Sequence, residues 1–156
     1  MSLSPSPEFI DHLMTEALAL AKSASVAGEV PVGAVIAHNN TIIGRGRNTT
    51  ENDQTVIAHA EIHAIQEASK HLGSWRLNDC IMCVTLEPCT MCLGAIRLAR
   101  IPVIIFGAGD SAQGAVGSLY DLSLDTRLGT LPRVIRNIKA AECQALLKDF
   151  FSSLRT

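Results

Sequence analysis

The stretch CIMCVTLEPCTMC, residues 80–92, carries four of the chain's five cysteines as two C-x-x-C pairs. Its first half, CIMCVTL (80–86), is a continuous apolar run of the length and composition of a buried strand. Pro88 then opens a helix that runs from Pro88–Cys89 to about Ala99, since proline at a first helical position removes an N–H that has no partner there anyway. Side chains alternate along a strand, so Cys80 and Cys83, three apart, face opposite ways and cannot chelate one ion together. On a helix the same spacing makes Cys89 and Cys92 neighbours on one face, and a helix N-terminus favours the thiolate form that a metal needs. Cys89 and Cys92 therefore read as a ligand pair. Cys80 and Cys83 read as core packing, as does Cys143 near the C-terminus. A four-cysteine zinc site is the alternative, although such sites usually space their pairs further apart than five residues.

Two thiolates leave a metal site short of ligands, and AHAEIHA (58–64) offers the next one. His59 and Glu61 sit at the start of a predicted helix, with His63 one turn on. Zinc held by one neutral imidazole and two thiolates is charge-neutral and keeps a fourth position open, the pattern of catalytic rather than structural zinc. Such a site lowers the pKa of a bound water towards ~7. A neighbouring carboxylate must then move protons, and Glu61 is the candidate. H-A-E followed by P-C-x-x-C, each at a helix start after extended structure, is far more specific than either piece alone. His63 lies four residues from His59, but H-A-E-I-H is not the H-E-x-x-H of a zinc protease, so it reads as a flanking residue.

Outward from these motifs the chain alternates strands and helices. Ile10, Leu13, Met14, Ala17, Leu20, Ala21 and Ala24 recur at helical period between Glu8 and about Ser25. VPVGAVIA (30–37) and TIIGRG (41–46), joined by His38-Asn39-Asn40, read as a β-hairpin. A helix spans His59 to Leu72, a strand opens at Pro102 (PVIIF), and RVIRNI (133–138) reads as a last strand before a closing helix over 140–154. Residues 107–122 are Gly-rich and irregular, and residues 1–7 read as a disordered lead. This order implies an α/β fold with a mostly parallel or mixed sheet covered by helices, in one domain over 1–156.

Composition excludes several classes. No apolar run approaches the roughly 18 residues of a membrane span, and MSLSPSPEF has neither a basic nor an apolar signal region. Clustered cysteines without an export signal point to reduced thiols in a cytosol-like compartment, used for metal or catalysis. The net charge of −2 rules out a strongly basic nucleic-acid binder. The balance is uneven, however: between Arg97 and Lys139 six basic residues (Arg97, Arg100, Arg127, Arg133, Arg136, Lys139) face three acidic ones (Asp110, Asp121, Asp125). That excess is either a solvated face or a phosphate-contacting surface.

HAEI (59–62) and TLEPCTMC (85–92), together with EVPVGAVI (29–36), Asn48, FGAGD (106–110), GAVGS (114–118) and ECQALLKDFF (142–151), resemble the bacterial tRNA-specific adenosine deaminase family within the zinc-dependent cytidine/deoxycytidylate deaminase superfamily. The resemblance runs from about Glu8 to Phe151. It implies a cytidine-deaminase-like three-layer α/β/α sandwich with a five-stranded mixed sheet, a cytoplasmic homodimer, and one Zn2+ per chain on His59, Cys89 and Cys92. The implied reaction is hydrolysis of adenosine to inosine at the wobble position of a tRNA anticodon loop, with Glu61 shuttling protons. Asn48 would bond the target base, the Glu29 to Val32 loop (Glu29, Val30, Val32) and Ala58 would line its pocket, and Asp110 and Phe150 would lie near the RNA. The target base must leave its stack to enter such a pocket. Glu87 reads as a group that bonds backbone rather than as a second base. Two other functions fit the same motifs: a deaminase of free bases or nucleosides such as guanine or cytosine, and a non-enzymatic partner subunit or zinc module.

Overall fold

The computed structural model describes residues 3–155. Five strands form one sheet in the order β2-β1-β3-β4-β5: β1 (Gly33–His38), β2 (Thr41–Arg47), β3 (Cys80–Leu86), β4 (Val103–Ala108) and β5 (Arg133–Ile135). β1 pairs antiparallel with β2 and β3, whereas β3–β4 and β4–β5 are parallel. The β1–β2 turn rests on Asn39 and Asn40, both at positive φ (50° and 61°). That is the two-residue geometry whose twist matches a hairpin and which asparagine tolerates.

The alternation read from residues 80–86 is the organising fact of the core. Cys80, Met82 and Val84 face one apolar layer, with Ala60, Ala64, Leu93 and Ile96. Ile81 and Cys83 face the other, with Leu13, Met14 and Cys143. Helices α3 (Ala60–Leu72) and α4 (Thr90–Leu98) cover the first face; α1 (Pro7–Val26) and α5 (Ala140–Ser153) cover the second. The architecture is the expected three-layer α/β/α sandwich with a five-stranded mixed sheet. Burial drives the Cys80 thiol up to about 11 and Cys83 higher still, so both remain protonated packing groups.

Glycines let α3 lie directly on β2. An added Cβ at Gly46 would stand 2.1 Å from the Ala60 carbonyl oxygen, and one at Gly44 would stand 2.4 Å from that of Ala64. The alanines at 60, 64 and 68 complete this close seam. It fixes the height of α3, and with it the position of His59, above the sheet.

Three expectations change at the edges. Residues 3–7 are not a disordered lead: Leu3 packs against the α1/α5 layer, Ser6 accepts the Phe9 N–H at 3.1 Å, and Pro7 begins α1. Met1 and Ser2 lie outside the described residues. The hairpin's first strand starts at Gly33 rather than Val30, because Pro31 cannot donate to a ladder. The last strand stops at Ile135, and Asn137 and Lys139, both at positive φ, turn the chain into α5. Among the described residues no helix is long and apolar enough to cross a membrane.

Candidate active site

His59 and Cys89 occupy equivalent positions, each the N-cap of the helix that follows it, α3 and α4 respectively. Cys92 lies on the first turn of α4 and is fully buried. The two helix starts therefore meet over the carboxyl-terminal end of β3, where α/β sheets gather ligands. His59 Nδ1 is 3.4 Å from Cys92 Sγ and 3.7 Å from Cys89 Sγ, and all three ligand atoms lie within 4.8 Å of one another. One imidazole and two sulfurs converging at this range fit a three-ligand zinc centre. Sharing a proton with Cys92, then the bond to His59, holds the Cys89 thiol down to about 4, while the same sharing pushes Cys92 up. The contact with Cys89 raises the His59 pKa.

Glu61 is only 4% exposed. Burial, foremost, pushes its carboxyl up to about 7, the range in which one group both accepts and releases a proton at neutral pH. It lines a cavity of about 260 Å³ that also includes Val30, Val32, Asn48, Leu86 and Asp110. A wider groove of about 700 Å³ shares His59, Cys89, Thr50 and Gln113 with this cavity and opens it to solvent past Tyr120.

The residues around the cavity are themselves tied down. The buried Asn48 donates Nδ2 to the Val30 carbonyl at 3.4 Å and accepts the Thr50 N–H at 3.2 Å. Glu87 accepts the N–H groups of Asp110 (3.1 Å), Val116 (2.8 Å) and Ser118 (3.1 Å), together with the Ser118 hydroxyl. These bonds outweigh burial and hold its carboxyl below the usual range, so it is a structural acceptor and no base. Asp110 folds its own loop by accepting the Ala112 and Gln113 N–H groups at 3.0 and 3.2 Å. His63 turns away from the trio. Its Nε2 meets Thr49 Oγ1 at 2.7 Å, and Thr49 in turn donates to Asp53 at 2.6 Å.

The MafB19-like deaminase family profile matches residues 10–155. Over 140 residues the chain is 46% identical to a tRNA-specific adenosine deaminase of Streptococcus pyogenes serotype M1, covering 90% of this chain and 82% of that one. This chain belongs to the tRNA-specific adenosine deaminase family. A second member, from Bacillus subtilis (strain 168), is 44% identical over 142 residues, 91% of this chain and 88% of that one. A solved structure described as a study of A-to-I editing by tRNA:A34 deaminases at the wobble position of transfer RNA superposes with a TM-score of 0.81 at 38% identity, covering 87% of this chain and 99% of that one. A guanine deaminase structure from Bacillus subtilis superposes at a TM-score of 0.61 with 31% identity, over 80% and 90% of the two chains.

Within this deaminase frame, the residues named from the motifs divide by location. His59, Glu61, Cys89, Asn48, Val30, Val32 and Asp110 line the inner cavity, and Cys92 stands behind it as the third member of the trio. Glu29, Ala58 and Phe150 do not line it. Glu29 is buried beneath the short helix α2 (Thr50–Asp53) and accepts the Glu51 and Asn52 N–H groups at 3.0 and 2.8 Å. Ala58 holds the Thr49 N–H at 3.0 Å, and Ala60 lines the wall in its place. Phe150 is 9% exposed and packs edge-on against Phe151, which is 45% exposed. Thr50, Leu86 and Gln113 were not legible from the motifs. Of these, Thr50 had a signal: an asparagine two residues ahead of it that forms an Asx-type turn.

Proposed function

We propose that this chain hydrolyses adenosine to inosine at the wobble position of a tRNA anticodon, with one Zn2+ held by His59, Cys89 and Cys92. The observation that carries the reading is a buried carboxyl, Glu61, beside a His/Cys/Cys trio at the floor of a cavity sized for one base. Zinc, when bound, supplies the Lewis acidity that makes water a usable nucleophile near neutral pH. The remaining work falls to the chain. Glu61 takes a proton from the attacking water and returns it to the departing nitrogen: a C6–O bond forms, the C6–N bond breaks, and ammonia leaves. Asn48 presents its amide to the edge of the base, while Val30, Val32 and Leu86 supply apolar walls that exclude bulk water. Asp110 borders the entrance. Glu29 and Ala58 act from behind, through α2 and the Thr49 backbone, and Phe150 acts by seating Phe151 on the exposed end of α5. The protein works as a single deaminase domain, in the cytoplasm, as a homodimer.

The test is incubation of the zinc-loaded protein with unmodified tRNA whose anticodon begins with adenosine, followed by digestion and mass spectrometry. Inosine confined to the wobble position is the expected product. Absence of inosine together with turnover of free guanine or cytosine would replace this reading with a free-base deaminase.

A further inference from the structure

The basic excess between Arg97 and Lys139 is not used by the active site, and the fold divides it. Arg127 pairs with Asp125 (2.7 Å), Arg136 with Asp121 (3.6 Å), and Lys139 with Asp11 (3.1 Å) and Glu142 (3.8 Å). Arg133 donates to the Leu3 carbonyl. Arg97 and Arg100 are left, and a third arginine joins them. Arg76 and Arg100 place their guanidinium carbons 4.3 and 5.5 Å from the ring centre of Trp75. Among the described residues, none of Arg76, Arg97 and Arg100 has a carboxylate within 4.0 Å.

Trp75, Arg97 and Arg100 line, with Asn78, a cleft of about 840 Å³ whose lining contains no aspartate or glutamate; Arg76 joins them through its stacking on Trp75. Two further features mark it. Arg97 donates to the Ser123 and Asp125 carbonyls only at 3.5 Å, and its buried Nε has no partner. Arg100 stands in the left-handed region (φ 65°) at the end of α4, a position that favours glycine, so its side chain is kept at a conformational cost. Stacking on an indole holds a guanidinium in place while leaving its N–H edge free. Fixed N–H edges without carboxylate partners match the oxygens of a phosphodiester. The cleft lies at the far end of α4 from Cys89, about 12 Å along the helix axis at 1.5 Å per residue, beside the amino-terminal ends of β3, β4 and β5.

We propose that this arginine–tryptophan cleft is a second RNA-contacting surface, binding backbone phosphates of the substrate's stem. The inference rests on the tRNA reading above. Two substitutions isolate it: Arg76→Gln, and Arg100→Gly, which removes the guanidinium while favouring the local backbone. In the double variant, tRNA binding weakens by about tenfold at moderate salt, and the slope of log affinity against log salt falls by about 2, one for each phosphate that is no longer neutralised. Zinc content, and affinity for a short oligoribonucleotide that holds the target adenosine but no stem, stay unchanged. Trp75 is the only tryptophan in the chain, so its emission changes when wild-type protein takes up tRNA and reports the cleft directly. An unchanged salt slope overturns the proposal, as does equal weakening for the short oligonucleotide. Loss of the dimer with a normal slope would make the cleft an interface between copies and overturn it too. The predicted slope change in the double variant, with no inosine formed by the wild-type protein, would refute the wobble-editing reading while leaving this surface standing.

Discussion

Gly46→Ala tests whether the seam between β2 and α3 positions the proposed zinc ligands. The added Cβ would stand 2.1 Å from the Ala60 carbonyl oxygen and 2.8 Å from both the Ala64 nitrogen and the His63 Cβ. An ordinary contact begins at 3.4 Å, so relief demands a separation of about 1.3 Å. The obstructing atoms are mainly helix backbone, so no rotamer change absorbs it and α3 must lift from the sheet. Overpacking of this kind costs about 1–3 kcal/mol, which for a chain of this size lowers Tm by roughly 2–12 °C. The functional cost is larger. His59 immediately precedes Ala60, and zinc-ligand distances tolerate shifts of only about 0.2 Å, while a 1 Å misplacement near reacting groups costs on the order of 100-fold in rate. Thermal unfolding, zinc stoichiometry and inosine formation, measured on one preparation, read all three effects. Wild-type Tm, full zinc and full rate together would refute the claim that this glycine sets the height of α3. Gly94→Ala is the matched control: an added Cβ there meets nothing within 4 Å, and alanine inside a helix is favoured by roughly 0.5–1 kcal/mol, so that variant melts at the same temperature or higher.

Other substitutions separate roles within the site. Glu61→Gln retains zinc by metal analysis but loses turnover by about 10²–10⁴-fold; near-wild-type rates would remove its proton-shuttling role. Cys89→Ser and Cys92→Ser each lose zinc, whereas Cys80→Ser and Cys83→Ser keep it and lose only thermal stability. Zinc loss in all four would restore the four-cysteine alternative. Glu87→Gln destabilises the protein in a pH-dependent way. Because the folded carboxyl titrates below its ordinary value of 4.5, its stabilisation is fully present above that pH and is lost as pH falls through the folded value. The stability gap between wild type and variant, measured by denaturant unfolding, therefore shrinks below about 4.5; a gap constant from neutral to acid pH would count against this account.

The strand parity that separates Cys80 from Cys83 and the helical spacing that joins Cys89 to Cys92 are local rules, and they single out one cysteine pair without any tertiary information. The three layers and the mixed sheet followed from the order of periodic segments and from the family resemblance. What local rules miss is direction. Glu29 and Val30 are adjacent in sequence, yet Val30 faces the cavity and Glu29 turns under α2, because two backbone N–H groups 22 and 23 residues away need an acceptor. The same holds for Glu87, whose partners lie 23 to 31 residues downstream in a loop without periodicity. Phe150 and Phe151 differ only in which side of α5 they occupy, a rotation that composition cannot resolve. The close approach of α3 to β2 was equally hidden, since G-R-G on its own reads as a weak strand rather than as a seat for a helix.

The bonds made by Glu87 have a consequence for how substrate preference can change. Two residues before Cys89, one side chain organises the loop that frames the mouth of the pocket, through three amides spread over residues 110 to 118. Recognition and chemistry thus hang from the same peg. Lengthening or shortening that loop between the amides held by Glu87 pulls on Cys89, so variation in what the enzyme accepts is channelled into side-chain identity at positions Glu87 does not hold, such as Ala112, Gln113 and Leu119. A lineage that adopted a new substrate by rebuilding the loop's length would first have to replace the peg.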